Sequence, residues 1–138
     1  MEYSADNLCA AFDLNNAREY FSELENLLAA NIPPVWIIRA LIRYYNNIYI
    51  VKKQMLASTT IDKAIASLKP PIFFKVIPNF KRSVMKSDLD LIIKTSYYLQ
   101  DKETALKGTS NNPKTILEEL FYQRNMAFED KLKFSSPV

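Results

Sequence analysis

Histidine is absent from the 138-residue chain, glycine occurs once (Gly108) and cysteine once (Cys9). Without imidazole, Cys/His metal sites and triads or dyads with a histidine base are excluded. A lone cysteine forms no internal disulfide, which fits a reducing compartment. Its setting, Leu8-Cys9-Ala10-Ala11-Phe12, reads as a small buried hydrophobe. With one glycine neither GxxxxGK[ST] nor GxGxxG can exist, so nucleotide binding through those loops is out. Hairpin-rich sandwiches, which need glycine at positive φ, are disfavoured as well. No run reaches the roughly 18 uncharged apolar residues of a membrane span. The N-terminus lacks a basic region followed by an apolar stretch, so no signal peptide is expected. These absences predict a soluble cytoplasmic protein with no membrane partner.

What is present is a chain 49% apolar with seven prolines, composed for a folded single domain. Its apolar residues recur at helical spacing. The spacing predicts a short helix over 4–12 capped by Ser4, and a second over 16–30 closed by Asn31. A third runs over 34–57 with Pro34 in its first turn, apolar on most of its circumference, and therefore central. Thr59 or Thr60 caps a fourth that ends near Leu68. Residues 69–86 are ambiguous: Pro78 interrupts the period, and Ile72–Ile77 also reads as a strand. Ser87 with Asp90 resembles a capping box for a helix that Gly108 stops. Asn112 then caps a last helix that starts at Pro113 and ends near Phe128. The expectation is an all-α bundle of about five to six helices over residues 1–130, with 131–138 a loose C-terminal tail.

Net charge is +3, unevenly distributed. Residues 1–30 carry six acids against Arg18, whereas 31–57 carry four bases and no acid. Residues 58–86 carry six bases against Asp62, and the remainder seven bases against eight acids. A basic middle between acidic ends suits three neighbours: nucleic-acid phosphate, an acidic protein surface, or the chain's own N-terminal helices. Phe73, Phe74 and Phe80 interleave with Lys75, Lys81 and Arg82 as in some single-strand binders, although core aromatics read the same way. The carboxylate pairs Asp88/Asp90 and Glu118/Glu119 suit a helix cap and two diverging side chains, not facing acid and base. No enzymatic activity, cofactor, metal or small-molecule ligand is expected.

Three segments carry a family resemblance. Asn26-Leu27-Leu28-Ala29-Ala30-Asn31-Ile32-Pro33-Pro34 followed by Val35-Trp36-Ile37-Ile38-Arg39-Ala40-Leu41 resembles a leucine-rich helix, a proline-containing entry and an I-L-R-x-L pattern. Leu68-Lys69-Pro70-Pro71-Ile72-Phe73-Phe74-Lys75 is similar to an L-[RK]-P-P-x-F-F-K run. Glu103-Thr104-Ala105-Leu106-Lys107 and the later Leu117-Glu118 resemble an acidic-x-x-x-lysine element and an L-E pair. In this order they resemble the C-terminal collar domain of the DNA polymerase III delta subunit, alphaproteobacterial type. The resemblance implies a non-catalytic helical domain of the clamp loader, the assembly that places the sliding clamp on primed DNA during replication. Its implied partners are the motor subunits and delta prime, with primed DNA met indirectly. The alternative is a basic helical nucleic-acid-binding module.

Arg39, Arg43, Lys75, Lys81 and Arg82 are the candidates to face a partner or DNA. Trp36, Tyr44 and Phe73 are candidate interface anchors, or core. Glu103, Lys107 and Glu118 form a candidate structural set. In it Lys107 either pairs with Glu103 one turn back or, as favoured here, reaches Glu118 on the next helix.

Overall fold

The computed structural model describes residues 4–108 and 112–135, with side-chain surroundings through Arg124. Its described elements are seven α-helices and one 3-10 turn, with no strand among the described residues. The all-α expectation holds, with more helices than anticipated. Residues 109–111 of the last connection and 136–138 of the expected tail lie outside the described residues.

Helix α1 (Asp6–Asp13) starts two residues later than expected. Ser4 stands just before the cap position, where its Oγ accepts from the Asp6 amide at 3.1 Å. Helix α2 (Ala17–Ala29) is capped by Asn16, whose side chain accepts from the Glu19 amide. Asn15 and Asn31, at φ 60° and 63°, turn the chain at the ends of α1 and α2. Asparagine tolerates this left-handed backbone better than most residues.

Helix α3 (Pro34–Leu56) is the central rod, as its sequence implies, and α6 (Leu89–Lys107) packs along it. Ile37, Ile38, Leu41, Tyr45, Ile48 and Val51 form its buried stripe. Val51, which the periodicity assigns to the other side, is fully buried, whereas Leu56 at its end is 71% exposed. Thr60 caps α4 (Ile61–Ala66) by accepting from the Lys63 amide.

The ambiguous stretch is helical. A 3-10 turn at Phe74–Val76 leads into α5 (Ile77–Lys86), with Pro78 in the first turn. There proline needs no N–H partner, so it opens the helix rather than interrupting it. Phe80, Ser83 and Val84 lie inward and anchor the segment by its helical face, and among the described residues there is no strand for Ile72–Ile77 to pair with. Asp88, not Ser87, caps α6: its carboxylate accepts from the Leu91 amide at 2.7 Å. A carboxylate at that position also favours the positive helix end. Helix α7 (Pro113–Ser135) begins at the expected proline, and Asn112 accepts from the Lys114 amide. It continues past the expected end near Phe128, through residues 131–135.

Aromatic rings join the first helices to α7. Tyr20 lies 4.9 Å from Phe121 between ring centres, and Phe12 contacts Phe121 edge-on at 6.3 Å. The Tyr20 hydroxyl donates to the Leu117 carbonyl at 2.7 Å, and Tyr98 of α6 donates to the Leu120 carbonyl at 3.2 Å. Burial pushes the Tyr98 phenol up to about 12.

Gly108 ends α6 as expected, yet its φ is −103°, which needs no glycine. A β-carbon there would sit 3.6 Å from the Thr104 carbonyl, an ordinary contact. Gly108→Ala therefore narrows the unfolded ensemble without straining the fold, and should stabilise the protein by about 0.4–1 kcal/mol in urea unfolding. A loss of stability would show that the backbone at this position needs glycine.

Candidate interaction surface

The charged candidates separate into distinct settings. Arg39, on the outer face of α3, reaches Glu103 of α6 through Nε at 2.7 Å. Lys107 turns back one helical turn to the same carboxylate oxygen at 3.4 Å, rather than forward to Glu118 on α7. The i,i+4 spacing makes the shorter reach available without crossing between helices. One carboxylate thus gathers two cations and ties α3 to α6. Exposed pairs of this kind contribute roughly 0.2–1 kcal/mol.

Lys81 pairs with Asp62 of α4 at 2.6 Å, and Arg82 donates to the Asn79 side chain at 3.4 Å. Lys86 lies 3.5 Å from Asp13. Part of the basic middle is therefore neutralised internally, by Asp13, Asp62 and Glu103. Of these only Asp13 comes from the acidic N-terminal segment. Lys75 is exposed in the 3-10 turn.

Arg43 lines a cleft of about 260 Å³ between the start of α1, one flank of α3 and the segment from Pro70 to Val76. Trp36 and Phe73, 37% and 54% exposed, also line it, so neither is a core residue. Tyr44 belongs to both worlds: its ring meets Phe80 edge-on at 5.6 Å, while its hydroxyl shares a 2.5 Å hydrogen bond with Ser83. Phe73 and Phe74 contact each other at 4.9 Å and stand in water, whereas Phe80 is core. On the other flank of α3, a groove of about 300 Å³ runs against α6. Tyr49, Ile93 and Tyr97 line it and are exposed. Among the described residues, no helix is long and apolar enough to cross a membrane.

Sequence reasoning missed the most buried polar cluster. Asp13, at the end of α1, is 2% exposed, and its Oδ1 accepts from the Tyr45 hydroxyl at 2.7 Å. Arg124 of α7, 5% exposed, donates to the carbonyls of Phe12 at 2.9 Å and Asp13 at 3.1 Å. Its guanidinium also lies 5.1 Å from the Phe12 ring centre. The signal was in the spacing. Arg124 follows Leu117 by seven and Phe121 by three, and Asp13 follows Cys9 by four, so each ion falls on an apolar face.

The Glu103 arrangement has a titration consequence. The Arg39 hydrogen bond, and then the nearby Lys107, hold the Glu103 carboxyl below its ordinary 4.5. A depressed carboxylate stabilises the fold above its unfolded value, and the contribution is lost as pH falls through the folded one. Carboxyl-detected NMR should find Glu103 titrating below 4.5, and Arg39→Gln should move it upward. An unchanged titration in Arg39→Gln would show that the pair does not persist in solution.

No family model matches the chain. No solved structure matches it. A protein of Rickettsia prowazekii (strain Madrid E), described as a probable DNA polymerase III subunit delta, is 38% identical over 104 residues. The match takes in 75% of this chain, and the chain spans about a third (32%) of that relative's length. The resemblance drawn from the Leu68–Lys75 run and its flanking motifs thus extends along most of the sequence: over three quarters of its length the chain is similar to a DNA polymerase III delta subunit.

Proposed function

We propose that this chain is the helical collar domain of a clamp-loader delta subunit, with residues 1–130 as the domain and 131–138 as a C-terminal tail. In this reading it performs no bond-making chemistry and needs no cofactor. It works in the cytoplasm, holding the motor subunits and delta prime together while the sliding clamp is placed on primed DNA. The observation that carries the proposal is the 38% identity over 104 residues to a protein described as a delta subunit.

The helical bundle supports it. Large apolar side chains stand in water on both flanks of α3: Trp36 and Phe73 on one, Tyr49, Ile93 and Tyr97 on the other. Contiguous apolar surface of this kind marks faces that other proteins cover. A subunit interface with an apolar core would use them, with Arg43 and Lys75 at a polar rim. The basic middle favours a second reading, a nucleic-acid-binding module. The pairing of Arg39, Lys81 and Lys86 with carboxylates weakens that reading.

Light scattering on mixtures with the C-terminal domains of the same organism's motor and delta prime subunits separates the two. The expected result is a stoichiometric complex whose mass is unchanged between about 0.05 and 0.5 M salt, because apolar contact is insensitive to screening. Failure to bind either subunit, together with salt-sensitive binding to primed DNA, would sink the collar reading, since phosphate contacts weaken steeply with salt.

A further inference from the structure

We propose that the cleft between α1, α3 and the Pro70–Val76 segment docks a short partner peptide in which a bulky apolar side chain stands beside a carboxylate. This goes beyond the collar reading: it assigns the Trp36–Phe73 flank of α3 to a linear segment and leaves the Tyr49–Tyr97 flank to the packing of whole domains.

The cleft has the two components such a peptide needs. Trp36, Pro70, Pro71 and Phe73 line it with rigid apolar surface, which costs little entropy when a side chain inserts. Arg43 supplies an exposed guanidinium in the same cleft, and among the described residues it has no ion-pair partner. Its neighbour one turn back, Arg39, is by contrast held by Glu103. A guanidinium prefers a planar, two-oxygen acceptor, which a carboxylate provides.

The third feature favours a peptide over nucleic acid. Asp6 also lines the cleft, its carboxylate accepting the Ser4 hydroxyl at 2.7 Å. A phosphodiester backbone carries negative charge at every link, which the Asp6 carboxylate repels, and only its bases have N–H groups to offer. A peptide offers both signs of polarity, with N–H groups toward Asp6 and a side-chain carboxylate toward Arg43. The walls also form a cleft of about 260 Å³ lined on three sides, rather than an open platform on which successive bases stack.

Trp36 is the sole tryptophan of the chain, so its fluorescence reports on this cleft alone. Displaying a randomised heptapeptide library that lacks tryptophan against the full chain should enrich sequences that place Asp or Glu next to Phe, Leu or Ile. The selected peptides should shift Trp36 emission. Arg43→Ala should weaken them by about tenfold or more, as expected for loss of a charge-assisted bond. Phe73→Ala, at an exposed position, should weaken them too, with both variants keeping the parental unfolding midpoint. Three results would overturn the proposal. They are a library with no enriched binder, binders indifferent to Arg43→Ala and Phe73→Ala, and Trp36 quenching by oligothymidylate but by no peptide. The last would assign the cleft to single-stranded nucleic acid. The collar reading is tested separately, by the light-scattering complex, which the Tyr49–Tyr97 flank can form whatever occupies this cleft.

Discussion

A carboxylate withdrawn from water at the end of α1 sets a condition that three other elements meet. Asp13 stands where the helix leaves carbonyls without intrahelical donors and where the helix dipole disfavours negative charge. Tyr45 of α3 donates to it, and Lys86 at the end of α5 approaches it. Arg124 of α7 satisfies the Phe12 and Asp13 carbonyls and lies 3.7 Å from the carboxylate. A buried ion of this sort costs several kcal/mol in desolvation unless geometry and partners offset it. The partners come from the middle and the far end of the sequence, so the cluster joins chain segments more than a hundred residues apart.

With that junction in place, the aromatic rings of α1, α2 and α7 close over one another and α3 is left as a rod gripped on its inner face. The buried stripe of α3 is narrower than its apolar circumference. Trp36 and Tyr49 fall on either side of it and remain in contact with water. The two clefts follow from this mismatch. A helix apolar on most of its surface, in a bundle too small to cover it, presents the remainder to whatever partner completes the burial.

Most of the architecture was legible in the sequence, because helical periodicity and cap chemistry act locally. Asn16, Thr60 and Pro113 sit where those rules place them. The 69–86 stretch was not, since Pro78 reads as a breaker until the preceding 3-10 turn makes it a first-turn residue. The helix starts at Asp6 and Leu89 slipped by one or two residues: Asp88 displaces Ser87 as the cap of α6, and Ser4 satisfies the Asp6 amide from one residue before the cap position of α1. Among the candidate site residues, charge alone could not tell which cations find internal carboxylates. Arg39 and Lys81 do so across helices, a tertiary fact, while Arg43 one turn away faces the cleft. Asp13 and Arg124 were readable in principle as ions on apolar faces, but their pairing spans the whole fold.

The central physical claim is that Arg124 fastens α7 to α1. Its most direct test is the unfolding free energy of Arg124→Met, which keeps much of the side chain's bulk while removing the charge and its donors. Leaving Asp13 and two helix-end carbonyls buried without that partner should cost about 3–5 kcal/mol. Adding Asp13→Asn to the same variant should recover part of the loss, because the stranded charge is then gone. A cost below about 1 kcal/mol, the range of an exposed pair, would contradict the claim and leave the aromatic contacts as what holds α7 in place.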